Sequence, residues 1–335
     1  MKKLLYSFLL IALAASLFTA LQFYLYSIAP VKGFSGTGVV NIPRGSSLTK
    51  IAHILEENKL IRGTLRFVIL AKLWNTEHSI KSGEYRFTAP PSPRAVLDKL
   101  IRGDVITYPV TFPEGCTIFE IARIIEEADL GSADKILKKA TDALFVQSLG
   151  IDNKSLEGFL FPDTYRFTRG TTPEQIMTSM VKRFNKVFNQ ELQKGLSPTG
   201  LSEEQIVILA SLIEKETPQP VEKPIIAGVF INRLKKRMRL ECDPTVIYGI
   251  RLENPEFKGR LRKKDLKRKT LYNTYRSYGL PPGPICNPGL YAIKAALNPA
   301  KVDYLYFVSK NNGTHKFSKT FREHNKAVTI YQKRH

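Results

Sequence analysis

Cysteine is scarce in this chain. Cys116, Cys242 and Cys286 are its three thiols, spread over 335 residues with no CxxC pair. That excludes a disulfide framework and the familiar zinc spacings, and leaves room for one disulfide at most. The five histidines form no ligand-like cluster, so no metal and no cofactor is expected. His315 and His324 read as structural or solvent-facing. Negative charge is also short: 30 Asp and Glu stand against 51 Lys and Arg, a net charge of +21. Such a balance favours polyanionic partners, whether nucleic acid, anionic lipid or an acidic wall polymer, and does not choose between them.

Charge of either sign is missing from Leu4 to Ile28, directly after Lys2 and Lys3. As a helix this stretch is long enough to cross a hydrocarbon core of about 30 Å. A secretory signal has a shorter apolar core, so a retained anchor is the expectation; cleavage at Ser27-Ile28-Ala29 is the alternative. Lys2 and Lys3 should stay inside, which puts everything after residue 30 outside the cytoplasm, as a single-pass protein of the inner (cytoplasmic) membrane. Tyr24 and Tyr26 suit the outer interface. An exported basic domain argues against a nucleic-acid partner and for the membrane surface or wall polymer.

A repeat follows. Val40–Leu60 and Val110–Leu130, offset by 70 residues, share nine identical positions: Val40, Pro43, Gly45, Ile51, Ala52, Ile54, Glu56, Glu57 and Leu60. Each copy reads as a strand, a Pro-x-Gly turn and a helix, capped by Ser46 or Ser47 in the first copy and Thr117 in the second. The first copy continues through a helix at Thr64–Leu73 and a return strand at Ser82–Phe87, an order that resembles the LysM-type glycan-gripping module. Pro90-Pro91-Ser92-Pro93 breaks the chain before a short helix at Arg94–Ile101. The second copy's helices, Ile118–Ala128 and Asp134–Thr141, show no obvious chemistry.

Further on, Leu156–Tyr165 (LEGFLFPDTY) gathers aromatics, Glu157 and Asp163 in one loop, whose rings suit either sugars or the core. Glu174–Phe188 reads as an amphipathic core helix. Leu201–Pro218 is the segment with chemistry. Ser202 and Gln205 form a capping box, and from Ile206 to Ile213 Ser211 is the one polar residue, so the helix should be buried nearly all round. Glu214 ends that run above small residues, Ser211 and Ala210, which leave room for an approaching group. Burial disfavours the charged form of a carboxyl, and a proton-bearing acid is what glycosidic cleavage needs. Lys223–Lys236 reads as another helix. Asn232, Asp243, Tyr248, Tyr272, Asn273 and Tyr275 supply amides, a carboxylate and phenols of the kind that bind sugar hydroxyls and N-acetyl groups. Arg251–Lys269 is strongly basic and reads as a solvated charge run. Tyr304–Val308 and His315–Phe317 around Asn311-Asn312-Gly313 read as a hairpin.

In order, the chain carries ASLIEKET (Ala210–Thr217), FINRL (Phe230–Leu234), DPTVIYG (Asp243–Gly249), YNTY (Tyr272–Tyr275), GLPPGPI (Gly279–Ile285) and AALNPAKVDYLYFV (Ala295–Val308). This set resembles the endolytic murein transglycosylases, the YceG-like family, over nearly the whole chain. The resemblance implies an enzyme, a lyase that cleaves the MurNAc–GlcNAc β-1,4 bond of nascent peptidoglycan. The MurNAc 6-hydroxyl attacks its own anomeric carbon and leaves a 1,6-anhydro end, which terminates the strand. It implies Glu214 as the single acid/base, with Glu216 as runner-up, and peptidoglycan synthases as neighbours. Two other readings remain: a non-catalytic, membrane-anchored glycan-binding scaffold, and a lysozyme-like hydrolase pairing Glu214 with Asp243. The expected fold is α+β, with an anchor over residues 1–30, a LysM-like module over 36–107, a second repeat copy and connecting region over 108–155, and a mixed catalytic domain over 156–335.

Overall fold

The structure, a computed structural model, describes residues 2–34, 36–195, 199–257 and 259–332. Helix α1 (Lys2–Ile28) contains the uncharged N-terminal stretch, and its Leu5–Ile28 part is long and apolar enough to cross a membrane. The rest is mixed α and β. The chain divides into two compact units, Met1–Tyr108 with Arg166–Gly170, and Pro109–Tyr165 with Thr171–His335.

In the first unit β1 (Gly38–Ile42) leads through a turn to α2 (Leu48–Glu57), α3 (Thr64–Leu73), β2 (Gly83–Phe87) and α4 (Pro93–Arg102). β1 and β2 pair antiparallel, with Val40 opposite Tyr85. Alternation puts Val40, Ile42, Tyr85 and Phe87 on the inner face, against Leu55, Phe67 and Leu97. Ser47 caps α2 by accepting from Lys50 N, and Ser92 caps α4 by accepting from Ala95 N.

The second unit begins within β3 (Tyr108–Thr111), followed by α5 (Ile118–Glu127), α6 (Ala133–Ala140) and α7 (Ala143–Ser148). β4 (Thr164–Phe167) pairs with β3. Both copies of the repeat use one device. Glu56 accepts from Gly63 N at 2.9 Å, and its equivalent Glu126 accepts from Ala133 N at 3.0 Å. Each carboxylate thus satisfies the free amides of the next helix start. Lys59 and Asp129, also equivalent, both turn the chain at φ 57°.

α8 (Pro173–Leu192) and α9 (Glu203–Glu216) come next, then α10 (Lys223–Lys235), α11 (Asp243–Glu253), a 3-10 turn at Asp265–Lys267 and α12 (Leu290–Leu297). All eight residues from Ile206 to Ile213 are buried, because α10, α11 and α12 all pack on α9. The hairpin is β5 (Tyr306–Ser309) and β6 (His315–Ser318), followed by α13 (Phe321–Gln332). The hairpin is tied to α10: Arg233 Nε donates to Leu305 O at 2.7 Å, and Glu222 accepts from the His315 amide and meets its ring nitrogen at 2.7 Å. The rings of LEGFLFPDTY turn to the core; Phe159 meets Phe184 edge-on at 5.3 Å. All three cysteines are free thiols.

Gly228 lets α10 approach the chain that leads into the hairpin. A Cβ there would lie 2.4 Å from Ala300 O and 2.7 Å from a Val302 methyl. Gly228→Ala should cost about 1–3 kcal/mol through overpacking against backbone that cannot rotate away. A lower denaturant midpoint at unchanged m-value would be the signature; an unchanged midpoint would refute the tight packing.

Candidate active site

Glu214 stands at the last turn of α9, where its charge opposes the helix dipole. The surroundings answer that opposition. Its Oε1 accepts from Lys223 Nζ at 2.6 Å, and its Oε2 accepts from Gly289 N at 3.0 Å. Lys223 is the first residue of α10 and Gly289 is the N-cap of α12, so a side-chain ammonium and the positive end of one helix meet at one carboxylate. The pair is buried, with 2% of the Lys223 side chain and 6% of the Glu214 side chain exposed. The expectation was a carboxyl among small and apolar neighbours. Those are present in α9, but the immediate partner is a buried ammonium.

A second carboxylate lies beside it. Glu114, in the Pro-x-Gly turn of the second repeat copy, accepts a backbone hydrogen bond from Leu290. Partial burial and the neighbouring Glu214 charge raise its pKa, while Lys223 pulls the other way. Gly289 fits between the two acids; a Cβ on it would fall 2.0 Å from Glu114 Oε1. The same turn supplies Gly115, which turns the chain at φ 78° beside Glu214 and whose carbonyl accepts from Lys215 Nζ at 3.2 Å. The second repeat copy, which offered no chemistry as sequence, therefore forms one wall of the site.

Beneath lies a neutral and acidic network. Asn287 Oδ1 accepts from Gly158 N and Leu160 N, and its Nδ2 donates to Cys116 O and to Glu157 Oε1 at 2.9 Å. Glu157 is 1% exposed and also accepts from Ile118 N at the start of α5. Burial pushes its carboxyl up to about 8, against the pull of the Ile118 amide and the Tyr248 hydroxyl. Tyr248 is buried and meets Tyr272 edge-on at 4.9 Å.

The other candidates fall elsewhere. Glu216 is hydrogen-bonded to the Cys242 thiol, and burial raises it to about 7. Asp243, nearby and exposed, accepts from Tyr275 Oη at 2.7 Å. Asn232 spends its amide hydrogens on Val302 O and Tyr304 O, and Asn273 spends its own on Leu266 O and Arg268 O. Asp163 pairs with Arg183 at 2.9 Å. Of the ten candidates it is Glu214 that hydrogen-bonds Lys223 and Gly289. Lys223, Glu114, Gly289 and Asn287 escaped the sequence reading. One signal was available: Glu114 and Gly115 stand in the repeated Pro-x-Gly turn.

A family model described as the YceG-like family matches residues 40–330. A protein of Bacillus subtilis (strain 168) named endolytic murein transglycosylase is 36% identical over 324 residues, 91% of this chain and 88% of that protein. One of the same name from Streptococcus pneumoniae serotype 2 is 29% identical, and there the chain spans 59% of the relative's length. The crystal structure of a yceG-like protein from Listeria monocytogenes is 36% identical, with a TM-score of 0.58 over 87% of this chain and 99% of that one.

Two stability predictions follow from this geometry. Glu214→Gln or Lys223→Met alone leaves one buried partner unmatched and should cost about 3–5 kcal/mol. The double variant should recover much of that loss in urea titrations, because it removes both charges. Strictly additive losses would show the pair to be uncoupled. Glu157 gains its proton on folding: the folded pKa lies above the unfolded one, so between roughly pH 4.5 and 8 the native state binds more protons. Its contribution to stability is therefore full at low pH and lost as pH rises to about 8. Glu157→Gln should flatten that decline in a pH series of unfolding midpoints, and an identical decline would refute the assignment.

Proposed function

Because this chain belongs to the YceG-like family, we propose that it is an endolytic peptidoglycan lytic transglycosylase with Glu214 as its acid/base. The observation that carries the reading is the buried Glu214–Lys223 pair at the N-terminus of α12, whose glutamate stands in the ASLIEKET motif.

The pair offers a route to a proton donor without an outside acid. A bound glycan strand excludes water, and a drier site favours a neutral pair over a charged one. The proton then moves from Lys223 Nζ to Glu214 Oε1 along their 2.6 Å hydrogen bond. Glu214 gives it to the oxygen leaving C1 of MurNAc, and the β-1,4 bond to GlcNAc breaks. The MurNAc 6-hydroxyl attacks C1 and surrenders its proton to the Glu214 carboxylate, which forms the 1,6-anhydro ring. Return of that proton to Lys223 restores the starting pair, so no water and no net proton are consumed. A single acid/base suffices here, unlike in two-carboxylate hydrolysis.

The rest of the assignment follows the chain. α1 anchors the protein in the cytoplasmic membrane with Lys2 and Lys3 inside, and places the glutamate on the side where nascent strands emerge. The 36–107 module, LysM-like in element order, holds the strand, and cleavage ends its elongation beside the synthase that extrudes it. A hydrolytic reading is kept alive by one observation, the second carboxylate of Glu114 across Gly289 from Glu214.

Digestion of purified sacculi by the full-length chain separates these readings. The expected products end in anhydro sugars, lighter by one water than hydrolytic ends, and Glu214→Gln should lower their yield about 100-fold or more. Ordinary reducing ends would mean hydrolysis, and no product from the unaltered chain would mean a scaffold.

A further inference from the structure

Helix α3 has two apolar faces. Phe67, Leu70 and Ala71 are buried in the core of the first unit. On the other side Leu65 is 71% exposed, Ile69 40% and Leu73 65%, with Trp74 at the helix end 37% exposed. At 100° per residue, the spacing of four sets Leu65, Ile69 and Leu73 within an arc of about 80°. Among the described residues of this unit outside α1, Val39 is the only other large apolar side chain so exposed. Arg62, Arg66 and Lys72 border the stripe and are exposed. The Arg94 guanidinium lies 4.8 Å above the Trp74 ring. An apolar stripe edged by cations and closed by tryptophan is the composition of a helix lying in a membrane interface.

Its place in the unit fits that composition. The start of α3 lies against the last turn of α1: Tyr26 Oη donates to Gly63 O at 3.5 Å, and the Arg66 guanidinium is 5.6 Å from the Tyr26 ring. Phe23 packs on the core of the unit. The Leu5–Ile28 stretch spans about 36 Å as a helix, roughly a turn more than the hydrocarbon core needs. Its final turn, with Tyr24 and Tyr26, therefore stands at the level of the lipid headgroups. There a cavity of about 260 Å³ opens, bounded by Gln22, Tyr26, Pro30, Arg62, Arg66 and Pro93. Arg62 is steadied by a hydrogen bond to Lys32 O at 3.1 Å, which leaves most of its five donors for an anion.

We propose that α3 lies in the outer leaflet of the bilayer that α1 spans. Leu65, Ile69, Leu73 and Trp74 enter the tops of the acyl chains, and Arg62 and Arg66 hold a phospholipid phosphate in the cavity beside α1. The first unit is then laid on the membrane as well as tethered to it. The occupant is lipid because the stripe continues directly from a bilayer-spanning helix and its border is cationic, complementary to headgroup phosphate. This inference rests on α1 being inserted, and the test reads insertion separately.

Trp74 is the one tryptophan in the chain, so its emission reports on this face without labelling. The full-length chain is reconstituted into phosphatidylcholine–phosphatidylglycerol vesicles, plain or brominated near the top of the acyl chains, and recovered by flotation. Brominated lipid should lower Trp74 emission by about half or more, as expected for a ring in the interface. The triple variant Leu65→Glu/Ile69→Glu/Leu73→Glu, all at exposed positions, should float equally well yet escape quenching. Arg62→Ala/Arg66→Ala should weaken it; undiminished quenching would remove the phosphate site. A floating wild-type chain whose emission is the same in both lipids, and freely quenched by aqueous acrylamide, overturns the proposal while leaving the anchor intact. A chain that does not float sinks both.

Discussion

A buried ammonium and a buried carboxylate can leave water only together, and the second unit is organised around one such pair. Lys223 and Glu214 lie 2.6 Å apart with almost no exposed side-chain surface. Desolvating either alone costs several kcal/mol, so their positions are coupled. The pair brings three helix ends to one point: the close of α9, the first residue of α10 and the cap of α12. From this follow the residues that crowd the point. Gly289 is needed because its amide must reach Oε2 while Glu114 presses on its other side. Gly115 is needed because it sits at φ 78° against Glu214 Cγ.

The layer beneath solves a different problem. Three irregular segments meet there: the Pro-x-Gly turn of the second repeat copy, the LEGF loop and the chain before α12. Buried loops leave amides and carbonyls without partners, and each orphan costs free energy comparable to a lost hydrogen bond. Asn287 answers three of them through its side-chain amide, which also donates to Glu157, and Glu157 answers the start of α5. That explains a buried acid with no cation on it: the carboxylate acts as a cap from a distant part of the chain. Rigidity here carries up to the site, since the turn that bears Glu114 also hydrogen-bonds Asn287 through Gly115 N.

Much of this was legible before any coordinates. The cap at Thr117, the capping box at Ser202, the apolar run of α9 and the hairpin around Asn311–Gly313 all lie where local physics places them. The repeat was legible too, because a duplicated unit keeps the residues its turn and cap require. What escaped was whatever depends on distant chain segments. Lys223 reads as one more basic residue at a helix start; only the fold turns it inward. Asn232 and Asn273 suit sugar hydroxyls on paper, yet a stranded backbone carbonyl asks for the same N–H donors, and residue type cannot separate the two uses. The aromatics of LEGFLFPDTY were equally ambiguous, and the core took the rings. α13 was not foreseen, since its Phe321–Gln332 sequence is largely polar and buries only Ala327.

The acids of this cationic chain show how partner type, more than depth, decides what a carboxylate can do. Glu214 and Glu216 sit two residues apart on α9, about 200° apart around its axis, and look into different surroundings. Glu216 has a neutral thiol for its hydrogen-bond partner, and Glu157 has amides and a phenol. Neutral donors soften the cost of burying a charge without removing it, so both acids are raised and both favour holding their protons. Glu214 has a full cation within hydrogen-bonding distance and the positive end of α12 besides. A cation removes the cost but also holds a proton that can be passed across. On that physical ground the acid/base proposed above falls to Glu214, while Glu157 and Glu216 are suited to holding neighbouring segments in position.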